Sequence, residues 1–292
     1  MWLGLQRGYL TDWTTQVWVK TSGRKTDLKS CPWLQGPIAK PTGIGNMFFE
    51  SFAQEQGLEA RPGAGLIRNF AALAGPQFKA EEVAPEVRNF YEHTADYDLD
   101  AWSEWHGFFR PFGRLLAVFF SHRLQQLNVP LSSLDTSHGV SSRIVDLVDP
   151  HSGEVRYTGW VRQLLGNQNV LYAGSYSTCT VPQFRGVCVK VVFPLPNGNA
   201  VVIMYPESGR DGSLSLTSAG VGFGSPGFYF TVRSGEQIWA KYVPAMRETI
   251  RVYPDLDAQI RADHVLRFGG LTFLRLHYRL RIQSHRLTAN CR

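Results

Sequence analysis

The strongest constraint in this chain is a change of period near Ser141. From there to Ile282 apolar residues alternate with polar ones, the pattern of strands that bury one face. Eleven segments carry it: 142–149, 154–165, 169–180, 186–193, 200–206, 213–218, 228–233, 237–242, 247–253, 258–268 and 271–282. The joints between them have hairpin chemistry, as in Asp149-Pro-His-Ser-Gly153, Gly166-Asn167, Pro196-Asn-Gly-Asn199, Asp211-Gly212, Ser234-Gly235 and Gly269-Gly270. Short strands on tight turns build an antiparallel meander. A meander this long curls into a barrel or splits into two sheets rather than staying flat.

The faces can be read residue by residue. In the last segment Leu274, Leu276, Tyr278, Leu280 and Ile282 share one face, and Arg275, His277, Arg279 and Arg281 share the other. The segment before it sets Ile260, Ala262, His264, Leu266 and Phe268 on one face, so His264 falls among apolar neighbours. Segment 200–206 is apolar on both faces, which places it between two packed layers.

Helical signals precede the strands. Asn46 can cap a helix that ends at Gly57, a weaker one spans 66–73, and a third opens on Pro85 with Val87, Phe90 and Tyr91 on one face. The longest helical pattern, 111–127, has a broad apolar arc suited to a core position beneath the sheet. Residues 1–43 read as an irregular arm with a short strand at 16–20. The expected fold class is therefore α+β: a single domain over 44–292, with a helical layer (44–130) packed on an antiparallel sheet or barrel (141–282) that can enclose a cavity.

The 292 residues are 43% hydrophobic, enough for a substantial core, and the 13% aromatic share suits either core filling or a pocket for apolar ligands. The net charge of +6 is concentrated at the end of the chain. Residues 261–292 hold seven arginines and one acid (7 − 1 = +6), while the remainder holds 23 basic and 23 acidic side chains. Cys31, Cys179, Cys188 and Cys291 lack CxxC spacing, so free thiols in a cytoplasmic protein are expected, with Cys179 and Cys188 able to meet across a hairpin. Met1–Lys20 has no signal-peptide pattern and no run approaches membrane-spanning length.

Formal motifs fail on their context. The GxGxxG at 222–227 contains Pro226 and leads into a strand, so it cannot present helix-end amides to a pyrophosphate. Asp96, Asp98 and Asp100 open like a calcium loop, but the glycine and glutamate it needs are missing. Gly174-Ser-Tyr-Ser-Thr178 departs from a nucleophile elbow at its last position. No zinc spacing is present, so neither metal nor cofactor is expected.

Two groups of residues carry possible chemistry. The first gathers His93, Glu104 and His106 with Trp102 and Trp105, a carboxylate and imidazoles beside indoles, which suits proton transfer. The second lies on the strands: His264 with Tyr176 as acid–base groups, and Arg162, Tyr172, Tyr205 and Arg267 as polar groups able to hold the head of an apolar ligand. The row Arg275, Arg279 and Arg281 offers a docking face for an anionic partner, though without the interleaved exposed aromatics of a single-strand nucleic-acid binder.

The segments FYEHT (Phe90–Thr94), WSEW (Trp102–Trp105), RLQQLNVPL (Arg123–Leu131) and VVFPLPNGNA (Val191–Ala200) resemble an uncharacterised bacterial family over roughly residues 44–282. ADHVLRFGGLTFLRLHYRL (Ala262–Leu280) is similar to a domain of unknown function found beside saccharopine-dehydrogenase-like domains. Neither resemblance implies a known activity. The residues themselves favour binding of a hydrophobic small molecule such as a lipid, polyketide or terpenoid intermediate. If the protein is an enzyme, cofactor-free cyclisation, isomerisation or dehydration is expected. The competing expectation is a non-catalytic carrier or interaction protein that docks through the arginine row.

Overall fold

A computed structural model describes residues 10–40, 44–106, 140–164, 170–235 and 237–283. The helix expected over 111–127 lies outside these residues. Within them the chain is dominated by antiparallel sheet, with three α-helices: α1 Leu10–Ser22, α2 Phe48–Gln56 and α3 Pro85–Glu92. The strands are β1 Arg24–Thr26, β2 Glu59–Pro62, β3 Tyr97–Trp105, β4 Val140–Val148, β5 Val155–Leu164, β6 Val170–Cys179 and β7 Cys188–Leu195. They continue with β8 Gly198–Ser208, β9 Leu214–Thr217, β10 Gly227–Ser234, β11 Gln237–Tyr242, β12 Met246–Pro254, β13 Ile260–Phe268 and β14 Leu271–Ile282. Each of the eleven segments read from the alternation is represented by one of β4–β14.

The main path of the sheet runs β2-β4-β5-β6-β7-β8-β9-β12-β13-β14-β3. Among the described residues it has two ends, β2 and β3, so the described strands do not close into a barrel. The long strand β8 is the joint. Its first half lies between β7 and β10, while Tyr205–Ser208 pairs with β9. The sheet folds back on itself there, and two inner faces come to enclose one apolar core.

That core takes Trp160, Val191, Val202 and Met204 from the β4–β8 arm, and Leu216 and Leu280 from the β9–β14 arm. Residues between β2 and β3 plug it, with Val87, Phe90 and Tyr91 of α3 all buried in it as their spacing indicated. The opposite face of β7 and β8 is also covered, with Val192, Val201 and Ile203 packing on Trp33, Leu34 and Tyr229. This two-sided burial is why segment 200–206 has no polar face. A third cluster seats Phe49 of α2 on Val145, Val161 and Ala173. Phe49 fits because β5 offers Gly159, where a Cβ would come within 2.5 Å of the ring.

Four local readings need correction. Residues 10–22 form α1 rather than an arm with a strand at 16–20, and Trp18 packs edge-on against Phe230 of β10. The buried stripe of α1 is Asp12, Gln16 and Val19, helical in spacing but largely polar, so hydrophobicity does not reveal it. The segment 66–73 is helical only as a 3-10 turn at Phe70–Leu73. Its amides are claimed from elsewhere: Ile67 N–H donates to the Tyr91 carbonyl and Phe70 N–H to the Glu92 carboxylate. Asn46 does not cap α2; its carbonyl instead accepts from Arg143 Nη2 at 2.6 Å. Finally, 97–105, inside the expected helical layer, is a paired edge strand in register with β14 from Leu274↔Trp105 to Ile282↔Tyr97.

Candidate functional site

Alternation along β5, β6, β12, β13 and β14 decides which side chains meet inside the curled sheet. On β5 the inward positions include Trp160 and Arg162, and on the neighbouring β6 they include Tyr172 and Tyr176. The facing arm contributes Glu248 and Ile250 from β12, His264 from β13, and Leu276 and Tyr278 from β14. The result is a compact polar cluster set in an apolar surround.

Arg162 is 7% exposed, and its guanidinium carbon lies 5.5 Å from the Trp160 ring centroid and 5.4 Å from that of Tyr278. Both contacts are of cation–π type. Its Nε and Nη2 are buried and have no hydrogen-bond acceptor among the described residues. Tyr172 donates to the Tyr176 hydroxyl at 2.8 Å, and Trp160 Nε1 donates to Ser142 Oγ at 2.7 Å. Trp160 and Phe193 both pack edge-on against Tyr172.

Across the core, His264 Nε2 lies 3.0 Å from Glu248 Oε2, with both side chains largely shielded from solvent. Burial raises the pKa of Tyr172, Tyr176 and Tyr278. The Glu248 carboxylate pushes all three the same way, while Arg162 draws Tyr176 and Tyr278 back down. These phenols therefore remain protonated donors at neutral pH.

The structure thus brings together four of the residues singled out from sequence: His264, Tyr176, Arg162 and Tyr172. It adds Glu248 and Tyr278. Tyr278 was already legible on the core face of 271–282. Glu248 sits two residues before Ile250 and four before Val252, so reading the face of 247–253 would have found it.

The other candidates lie elsewhere. Glu104 points to the outer face of β3 with its side chain 67% exposed, and its Oε2 is 3.4 Å from His106 Nε2. The Nε1 of Trp105 is buried without an acceptor among the described residues. Trp102 is exposed on the outer face beneath the Arg279 guanidinium. His93 is exposed at the end of α3. Tyr205 faces the second core, against Phe184. Arg267, expected to be buried, is exposed near the β13–β14 turn, because it lies on the opposite face of β13 from Ala262, His264 and Leu266.

The arginine row is largely neutralised within its own sheet. Arg279 and Arg281 each reach Asp100 at 2.8 Å, His277 meets Asp263 at 2.6 Å, and Arg275 stands across from Glu104. Asp98, Asp100 and Glu104 are the cross-strand partners of these bases.

Two clefts bounded by described residues open on the outside of the fold. One, about 350 Å³, lies along α3 beside Phe70 and Arg88. The other, about 630 Å³, lies beside Gln35, Tyr157 and Lys190. Neither is lined by Arg162 or His264.

No family model matches this chain, and no solved structure does. Over 218 residues, 74% of the chain, it is 27% identical to the uncharacterized membrane protein YndJ of Bacillus subtilis (strain 168). The matched stretch is 38% of YndJ, so the chain spans well under half the length of this relative. Among the described residues of the present chain, no helix is long and apolar enough to cross a membrane.

Proposed function

We propose that the polar cluster between the two arms binds a small molecule with an apolar body and a polar head, and that His264, Glu248 and Tyr176 supply its acid–base chemistry. The observation that carries this reading is the unpartnered edge of Arg162, buried beside protonated phenols and a histidine–carboxylate pair. A core built only for stability gains nothing from such a group, because a buried charge without a counter-ion is costly. Ligand sites, in contrast, set a few convergent polar groups in an apolar lining.

The chemistry the cluster supports is cofactor-free. The contact of His264 Nε2 with Glu248 Oε2 orients the imidazole, leaving Nδ1 as the ring nitrogen that can exchange a proton with a bound molecule. Tyr176 and Tyr278 are donors for charge developing on oxygen. That combination serves an isomerisation, cyclisation or dehydration, in which protons move but no electrons are transferred to a second molecule.

Native mass spectrometry of the protein purified without refolding, followed by denaturing extraction, tests the reading. A stoichiometric small molecule supports it and supplies a substrate or product. With that compound, Glu248→Gln and His264→Ala are each expected to lower turnover by about tenfold or more with the fold retained. A clean unliganded mass together with failure to bind any apolar probe would remove the proposal.

A further inference from the structure

We infer that the molecule bound in this interior site carries a carboxylate, gripped side-on by the Nε and Nη2 edge of Arg162. The inference rests on the binding reading above and names the chemistry of the head. A guanidinium has two π-faces and hydrogen-bonding edges. The rings of Trp160 and Tyr278 lie against the Arg162 guanidinium. The two nitrogens without an acceptor, Nε and Nη2, are those that point their hydrogens in parallel along a single edge. That edge matches the two oxygens of a carboxylate, each N–H donating to one oxygen.

The nearby acids of the protein are already engaged. Glu248 is held by His264 at 3.0 Å and forms no ion pair with Arg162 among the described residues. Asp146, inward-facing on the adjacent β4, accepts from Thr158 Oγ1 at 2.8 Å and is paired with Arg68 at 2.7 Å. The missing counter-ion is therefore not supplied by these side chains.

Charge balance selects the class of anion. The guanidinium shares the interior with Glu248, whose charge reaches Tyr172, Tyr176 and Tyr278. A dianionic phosphate would bring two negative charges toward one cation and one carboxylate. A carboxylate brings one, and the protonated phenols around it can donate to its remaining lone pairs. Ile250, Leu276 and Phe193 nearby offer apolar surface for the rest of the molecule.

The test titrates the full chain by calorimetry with four probes sharing one tail: dodecanoate, dodecan-1-ol, dodecyl phosphate and dodecyltrimethylammonium. The wild type is expected to bind dodecanoate at least about tenfold more tightly than the alcohol, the usual scale for hydrogen bonds to a charged group. Arg162→Met should lose the preference for the acid over the alcohol. Arg162→Lys, a point charge without the planar fork, should recover only part of it. The thermal midpoint of Arg162→Met separates this from a structural role. It should hold or rise once the unpaired cation is gone, and a fall would show that Arg162 serves the fold.

The outcomes separate the two readings. If the alcohol binds as well as the acid, or the preference survives in Arg162→Met, the carboxylate assignment falls and the apolar site stands. If the phosphate ester binds most tightly, the site holds a different anion and the assignment also falls. If no probe binds the wild type, both the assignment and the binding proposal fall together.

Discussion

Burial governs the chemistry of the two thiols that face each other at the end of the β6–β7 pair. Cys179 and Cys188 are register partners, and both are free. Burial raises the pKa of Cys179 to about 11, with Lys190 drawing it back, and that of Cys188 to about 12, with Cys179 adding to the rise. A thiolate is the reactive species, so at pH 7.5 both should be inert in the folded protein. Labelling with an aromatic disulfide reagent should leave them unmodified until denaturant is added. Prompt native labelling at either position, located by peptide mapping, would contradict this. The same scale shows what sequence can reveal about the site. His264, Tyr172, Tyr176 and Arg162 stand out because a polar side chain interrupts an apolar face, and that signal survives into three dimensions. Glu104, His106 and His93 were grouped by nearness along the chain, and β3 turns Glu104 outward, away from His264. Proximity in sequence carries no such guarantee when successive side chains point to opposite faces.

At the scale of elements, the strands were readable because their alternation and turns are local signals. The helix α1 was not, because its buried stripe depends on polar partners in the rest of the fold. Arg68 joined to Asp146, 78 positions further along the chain, is equally invisible before folding. Close packing between elements is also beyond a linear reading, and Gly159 shows why. A mid-strand glycine reads as a weakness in β5, yet its missing side chain lets Phe49 of α2 lie on the sheet at full burial. Gly159→Ala should therefore cost about 1–3 kcal/mol in urea unfolding, the usual scale of overpacking. The smaller ring-free side chain of Phe49→Leu should then be partly compensating, so the double variant should lose less than the two single losses added. Strict additivity would mean that the helix shifts freely and the contact is not tight.

At the scale of the whole molecule, a sheet that folds back at β8 turns two arms of ordinary antiparallel strands into a shared interior. The same fold-back concentrates tyrosines where solvent cannot stabilise a phenolate. Burial is the leading cause of the raised pKa of Tyr91, Tyr172, Tyr176 and Tyr278. The consequence for stability has a definite sign. In the unfolded chain these phenols ionise near pH 10, whereas in the folded chain they hold their protons. Their contribution is complete below about pH 10 and is lost as pH rises toward the folded values, because the unfolded state then sheds protons the native state keeps. Each contributes a slope of up to about 1.4 kcal/mol per pH unit in that window. A domain of about 5–15 kcal/mol stability should thus unfold cooperatively within a few pH units above 10. Circular dichroism and phenolate absorbance, followed together from pH 9 to 12.5, should show a shared transition in which buried tyrosines ionise only as the sheet is lost. Tyr172→Phe removes one such group along with its hydrogen bond to Tyr176, so it should flatten the alkaline slope by about one proton while lowering stability slightly at pH 7. Smooth phenolate titration through the range without loss of sheet signal would mean that water already reaches the interior, and the enclosed polar site would have to be redrawn as an open one.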